Sequence, residues 1–310
     1  MEKSRFLENE VVRRYDKNPI LTAEDIPIPC NSVFNPGAIK YGNQYLLLLR
    51  VEDHDRISHF RVATSDDGIH FEIAREALEL PGTPETARYE INVYDARLTF
   101  FDGWYYLTTC CEWAGGCRAG LFRTRDFVIV ERLGFISETE QRNVTLFPEK
   151  INNLYCRLDR PLNQYDQGNM WLSYSPDLLY WGKSSLVLET RFHSWDENKL
   201  GPACVPIKTD QGWLVIYHGQ RNNASTCIYK LGVCLLDLKD PSRVLARSKH
   251  SILGPKEWYE RTGDVPNVVF CSGAIVEPDG EIKIYYGACD QVVCLATTTV
   301  DELLQFCFAG

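Results

Sequence analysis

The sequence predicts an all-β fold, a five-bladed β-propeller, and three observations carry that expectation. A turn followed by an aromatic-rich strand recurs five times, at residues 42–49, 102–107, 152–158, 211–217 and 279–286. Each is followed by a second strand ending in an acidic turn, at 65–68, 124–127, 175–178, 237–240 and 299–302. The rhythm runs from Asn31 to about Leu304 without a linker, at the spacing of roughly 50 to 70 residues that propeller blades leave in a sequence.

Taken in order, residues 1–30 are charged and punctuated by Pro19, Pro27 and Pro29, and read as an N-terminal arm packing across the outside of a blade. The arm is also a plausible contact in a homo-oligomer. The repeats make the whole of 1–310 a single domain. Within a repeat, Trp171-Leu172-Ser173-Tyr174-Ser175 alternates as a strand does. Turns such as Asp66-Asp67-Gly68 reverse the chain, because Gly tolerates positive φ and Asp bonds back to nearby amides. Helical signals are weak. One short turn is expected to start at Asp301-Glu302-Leu303-Leu304 and another within 4–14.

Composition narrows the function. A net charge of -9 argues against nucleic acid or an anionic membrane as partner, though it permits a local basic pocket. The chain has no run of eighteen apolar residues, and Met1-Glu2-Lys3-Ser4-Arg5-Phe6 lacks the apolar centre of a signal peptide, so a cytoplasmic protein is expected. Of the 12 cysteines, Cys156, Cys234, Cys289, Cys294 and Cys307 sit in apolar strand-like runs and read as small hydrophobes. Reduced thiols are therefore expected, and no metal site, since Cys110, Cys111 and Cys117 lack paired zinc spacing.

Polar clusters interrupt the strands at the same part of every repeat. They are Asn35-Pro36-Gly37 and Arg50-Val51-Glu52-Asp53 in the first; Tyr94-Asp95-Ala96-Arg97 in the second; Arg142-Asn143 and Arg157-Leu158-Asp159-Arg160 in the third; Lys199 and Tyr217-His218-Gly219 in the fourth; Asp264 and Asp290 in the fifth. Equivalent positions in a propeller share one mouth, so these residues are expected to line one pocket. Blander readings remain open beside this one. Asp95 and Arg97 could form a surface ion pair, Arg157 and Arg160 could pair with Asp159 and Asp166, His218 could be a hydrogen-bonded core histidine, and Asp264 and Asp290 could be turn residues. Adjacent Glu52 and Asp53 point to opposite faces, so at most one enters the pocket.

The strings Val93-Tyr94-Asp95-Ala96-Arg97, Asn143-Val144-Thr145-Leu146-Phe147-Pro148, Leu172-Ser173-Tyr174-Ser175-Pro176-Asp177, Ile216-Tyr217-His218-Gly219 and Tyr285-Tyr286-Gly287-Ala288-Cys289-Asp290 resemble glycoside hydrolase family 130 over nearly the whole chain. Cys289 departs from the alanine more usual there. The resemblance implies a five-bladed propeller and an inverting β-mannoside phosphorylase, a hexosyltransferase-type enzyme. It would use inorganic phosphate as co-substrate, need no other cofactor, and cleave β-1,4-mannooligosaccharides, mannosyl-N-acetylglucosamine or mannosyl-glucose. It implies Asp95 as the proton donor and Arg142, Arg160, Lys199, His218 and Tyr229 as phosphate ligands. Asn35, Arg50, Tyr94, Asp290 and Asp264 would hold the mannosyl unit, with Arg56, His59 and Tyr89 toward the acceptor. A single acid is chemically sufficient, because phosphate arrives already anionic, whereas a hydrolase needs a second carboxylate to activate water. The alternatives are a phosphate-independent β-mannosidase of the same fold and a propeller that only binds carbohydrate.

Overall fold

The computed structural model describes residues 11–309 and shows five antiparallel sheets arranged as propeller blades. Blade I comprises Ser32–Tyr41, Gln44–Glu52, Ser58–Ser65 and Glu72–Ile73. Blade II comprises Asn92–Phe101, Trp104–Trp113, Gly116–Thr124 and Val130–Phe135, and blade III Gln141–Leu146, Tyr155–Pro161, Met170–Ser175 and Gly182–Leu188. Blade IV is built on Lys199–Pro202, Gly212–Asn222, Cys227–Leu236 and Val244–Arg247, with Ile207–Thr209 extending its first edge. Blade V holds Val269–Val276, Glu281–Ala288 and Val292–Thr299, and its fourth strand is Arg13–Arg14 from the other end of the chain.

That last strand refines the expected arm. Residues 13–21 do more than cross a blade: Arg13 and Arg14 pair with Thr297 and Ala296, Tyr15 N–H donates to Leu295 O at 2.9 Å, and Ile20 N–H donates to Val293 O at 2.9 Å. Two consecutive arginines carry no strand pattern, so only the sheet edge they meet makes them a strand. The remainder of the helix expected over 4–14 lies outside the described residues. The C-terminal turn is longer than expected, a nine-residue helix over Val300–Phe308. Thr299 caps it by accepting from Glu302 N–H while Glu302 bonds back to Thr299 N–H. Leu303, Leu304, Phe306 and Cys307 then bury against blades IV and V.

The acidic turns work as the sequence predicts. In blades I, II and III the carboxylates of Asp67, Asp126 and Asp177 accept from backbone N–H groups two and three residues ahead, at 2.8–2.9 Å. Each blade then stacks an apolar face on its neighbour, as where Trp213, Val215 and Tyr217 of blade IV meet Leu158 and Leu172 of blade III. Among the described residues, no helix is long and apolar enough to cross a membrane.

The cysteine expectation needs correction. Ten are free as expected, but Cys110 and Cys117 form a disulfide. They lie on neighbouring strands of blade II, diagonal across the register and with Cα atoms 6.4 Å apart, inside the separation a disulfide spans.

Candidate active site

The innermost strands of blades I, II and III share one irregularity that builds the site. Register slips between Phe34 and Gly37, between Tyr94 and Arg97, and between Arg142 and Thr145. Each slip is a bulge whose first residue has positive φ: Asn35 at 43°, Asp95 at 53° and Asn143 at 60°. Asn and Asp are the non-glycine residues that adopt this conformation most readily, so the bulge selects the residue types. Gly287 of blade V leaves the space: a Cβ there would collide with the Asn35 side chain.

The bulge residues line a cavity of about 250 Å³ together with Arg50, Tyr94, Arg142, Arg160, Tyr229 and Asp290. Asp95 Oδ1 accepts two hydrogen bonds, from Asn35 Nδ2 at 3.1 Å and from Arg50 Nη1 at 3.0 Å. The Arg50 guanidinium is itself fixed, sandwiched 4.2 Å from both the Phe34 and the Tyr94 ring. Arg97 lies beneath, fully buried, donating to Asp95 O at 3.0 Å, Asn143 Oδ1 at 3.2 Å and Ala203 O at 2.8 Å. The surface-pair reading of Asp95 and Arg97 is thereby excluded. Arg97 is a strut tying three blades together, and burial lowers its pKa to about 10.

Two cations, Arg142 and Arg160, line the same cavity as Asp95. Arg142 Nη1 donates to Tyr94 Oη at 2.9 Å and its Nη2 to Glu112 Oε1 at 3.1 Å. Arg160, 4% exposed, donates from Nη1 to His218 Nε2 at 3.0 Å, while its Nε is buried without a partner among the described residues. Lys199 and His218 stand behind this lining. Lys199 pairs with Asp166, and His218 is held well below the ordinary histidine pKa by burial, then by Arg160, Arg97 and Lys199. It is neutral at pH 7, accepting on Nε2. Tyr229 has its hydroxyl pKa pushed up by burial. Arg157 takes its bland reading, paired with Asp159 at 2.8 Å.

A second cavity of about 540 Å³ adjoins the first through Arg50 and Asp290, and adds Glu52, Arg56 and Asp264. Asp290 is pushed up to about 7 by burial, with Asp95, Asp264 and Glu52 adding repulsion that Arg50 only partly offsets. Glu52 alone of its acidic pair enters, since Asp53 turns away to His59 at 2.8 Å. His59 therefore lines neither cavity, and Tyr89 likewise packs edge-on against Trp113 and Phe135. Sequence reasoning missed Cys110, Glu112 and Phe270 on the first cavity and gave Asn143 no role. Glu112 had a signal, because it closes the second strand of its repeat as Arg50-Val51-Glu52 closes that strand in the first.

Fold and site together define a five-bladed propeller enzyme scaffold in which hydrogen-bonded carboxylates and buried cations line one cavity. The chain belongs to glycoside hydrolase family 130: the family model for beta-1,4-mannooligosaccharide phosphorylase matches residues 3–309. It is 33% identical over 307 residues to a beta-1,4-mannooligosaccharide phosphorylase of Ruminococcus albus, covering 96% of this chain and 91% of that one. It is 34% identical over 337 residues to a 4-O-beta-D-mannosyl-D-glucose phosphorylase of Bacteroides fragilis, covering 96% and 85%. Its fold superposes on the beta-1,2-mannobiose phosphorylase of Listeria innocua, solved with beta-1,2-mannobiose, with a TM-score of 0.87 at 30% identity, covering 96% and 99%.

Proposed function

We propose that the chain is an inverting β-mannoside phosphorylase acting on β-1,4-linked mannosides. The observation that carries this reading is the buried, incompletely partnered Arg160 beside Arg142, Lys199 and neutral His218, on the cavity that Asp95 also lines. Buried cations with spare donors are costly unless an anion completes them, and a phosphate dianion supplies both the charge and the acceptors. Water as nucleophile would need a free carboxylate base there, whereas the carboxylate beside these cations, Glu112, is held by Arg142.

In this reading a phosphate oxygen bonds to the anomeric carbon as the bond to the glycosidic oxygen breaks, giving α-mannose 1-phosphate and a shortened acceptor. Asn35 and Arg50 both bond Asp95 Oδ1, so Oδ2 is the oxygen left to carry the transferable proton. That proton reaches the leaving oxygen through the mannose 3-hydroxyl, as the family resemblance implies. Arg50, Tyr94, Asp290 and Asp264 bind the mannosyl hydroxyls, and the second cavity, with Arg56, has room for further sugar. The β-1,4 preference is supported by the matching family model and by the Ruminococcus albus relative.

The test is incubation of β-1,4-mannobiose, β-1,2-mannobiose and 4-O-mannosyl-glucose with and without phosphate. Phosphate-dependent mannose 1-phosphate, formed fastest from the β-1,4 substrate, is expected. Free mannose released at the same rate without phosphate would identify a mannosidase instead, and binding without turnover a carbohydrate-binding propeller.

A further inference from the structure

We propose that Asp166 is a positioning residue for the phosphate site, holding the Lys199 ammonium charged and aimed beside Arg160. The inference rests on the phosphorylase reading above, and deepens it by naming a residue outside the cavity lining that the site depends on.

Lys199 opens the inner strand of blade IV, and its side chain is only 10% exposed. A buried ammonium beside a buried guanidinium is unfavourable: desolvation lowers the Lys199 pKa first, and Arg160 lowers it further. Asp166 acts in the opposite direction, through a hydrogen bond and through its charge. The other titratable groups facing Lys199 are Cys227 and His218 of blade IV, and His218 is neutral, so Asp166 supplies the counter-charge for this lysine.

Asp166 is placed from outside the site. It sits with φ 56° in the loop between two strands of blade III, where its N–H donates to Asn163 O at 3.1 Å. The loop is stitched to blade IV on both sides of the lysine, Asn198 Nδ2 donating to Asp166 O at 3.3 Å and Leu200 N–H to Gly168 O at 3.0 Å. The carboxylate is thus carried by a loop hydrogen-bonded to the backbone on either side of Lys199. An ammonium has three donors, so one bond to Asp166 leaves two for a phosphate oxygen. Asp166 itself is 63% exposed and lies outside the cavity lining, so it can anchor the lysine without filling the phosphate position.

The experiment compares wild type, Asp166→Asn and Asp166→Glu in phosphate-dependent cleavage of β-1,4-mannobiose, with phosphate binding by calorimetry across pH 6 to 10. Asp166→Asn is expected to raise KM for phosphate about fivefold, with kcat within about twofold, because a half-buried ion pair is worth roughly 1 kcal/mol. It should also move the alkaline limb of kcat/KM for phosphate to lower pH, since Lys199 then loses its proton earlier. Asp166→Glu should restore part of both effects. A KM within twofold of wild type with an unmoved alkaline limb would overturn the proposal, and so would a lower KM, which would make Asp166 a competitor of phosphate. If wild type makes no mannose 1-phosphate the phosphorylase reading fails. Calorimetry then still decides the point, weaker and more alkali-sensitive phosphate binding by Asp166→Asn supporting Asp166 and equal binding refuting it.

Discussion

The two walls of the cavity are near mirror images in electrostatics. Blades I, II and V supply Asp95 and Asp290 around Arg50, with Glu52, Arg56 and Asp264 on the adjoining cavity, while blades III and IV supply Arg142 and Arg160 with Lys199 and His218 behind them. On the acidic side, burial and like charge push Asp290 up to about 7. On the basic side, burial and like charge push His218 down until it is neutral. Each wall thus discharges one member and holds others in place through fixed partners: Arg50 on Asp95, Glu112 on Arg142. The difference teaches a division of labour. Hydroxyl-rich ligand suits a wall of mixed acceptors and donors, whereas a wall of surplus cations in a protein of net charge -9 suits an anion.

The largest effect is expected where the acidic wall does chemistry. Asp95→Asn keeps the acceptor for Asn35 and Arg50 but has no acid to donate, so kcat should fall at least about a hundredfold, the lower end of general-acid contributions. Steady-state rates with mannobiose and saturating phosphate measure it. A loss under tenfold would show that the carboxylate only positions sugar, and would dissolve the contrast between the walls.

The basic wall is sharpened by Arg142→Gln. Arg142 spans the two sides, bonded to Tyr94 and to Glu112, and faces the cavity. Losing one charge-assisted contact to phosphate should raise its KM about tenfold to a hundredfold while kcat at saturation falls less. A change confined to the mannobiose KM would instead assign Arg142 to the sugar.

Much of this contrast was legible in the sequence, for a definite reason. A propeller repeats its geometry, so polar residues at equivalent points of successive repeats converge whatever their separation along the chain, and Asn35, Asp95, Arg142, Arg160 and Asp290 were found that way. What the repeat does not encode stayed hidden. The bulges at Asn35, Asp95 and Asn143 depend on backbone slips that alternation patterns do not show. Glu112 does sit where the repeat would place it, but it follows two cysteines and precedes a tryptophan, and that apolar setting masked the signal. His59 has the chemistry of an acceptor contact, but Asp53, just past the end of the adjoining strand, captures it. The two-residue strand that completes blade V draws its structure from a sheet edge nearly three hundred residues away, which no local signal reports.

The smallest effect concerns stability and tests whether the acidic wall is as crowded as its geometry implies. An aspartate whose folded pKa is raised binds its proton more tightly folded than unfolded. Between the ordinary value of 3.8 and about 7, Asp290 therefore lowers stability progressively as pH rises, with the full penalty above that window and none below it. Asp290→Asn cannot ionise, so relative to wild type it should gain stability from pH 5 to pH 8, by on the order of 2 kcal/mol, since part of the strain relaxes around a carboxyl that borders a cavity. Urea midpoints of both proteins at the two pH values measure the difference directly. An equal dependence on pH in the two would mean that Arg50 fully neutralises Asp290, and that the acidic wall, unlike the basic one, carries no surplus charge of its own.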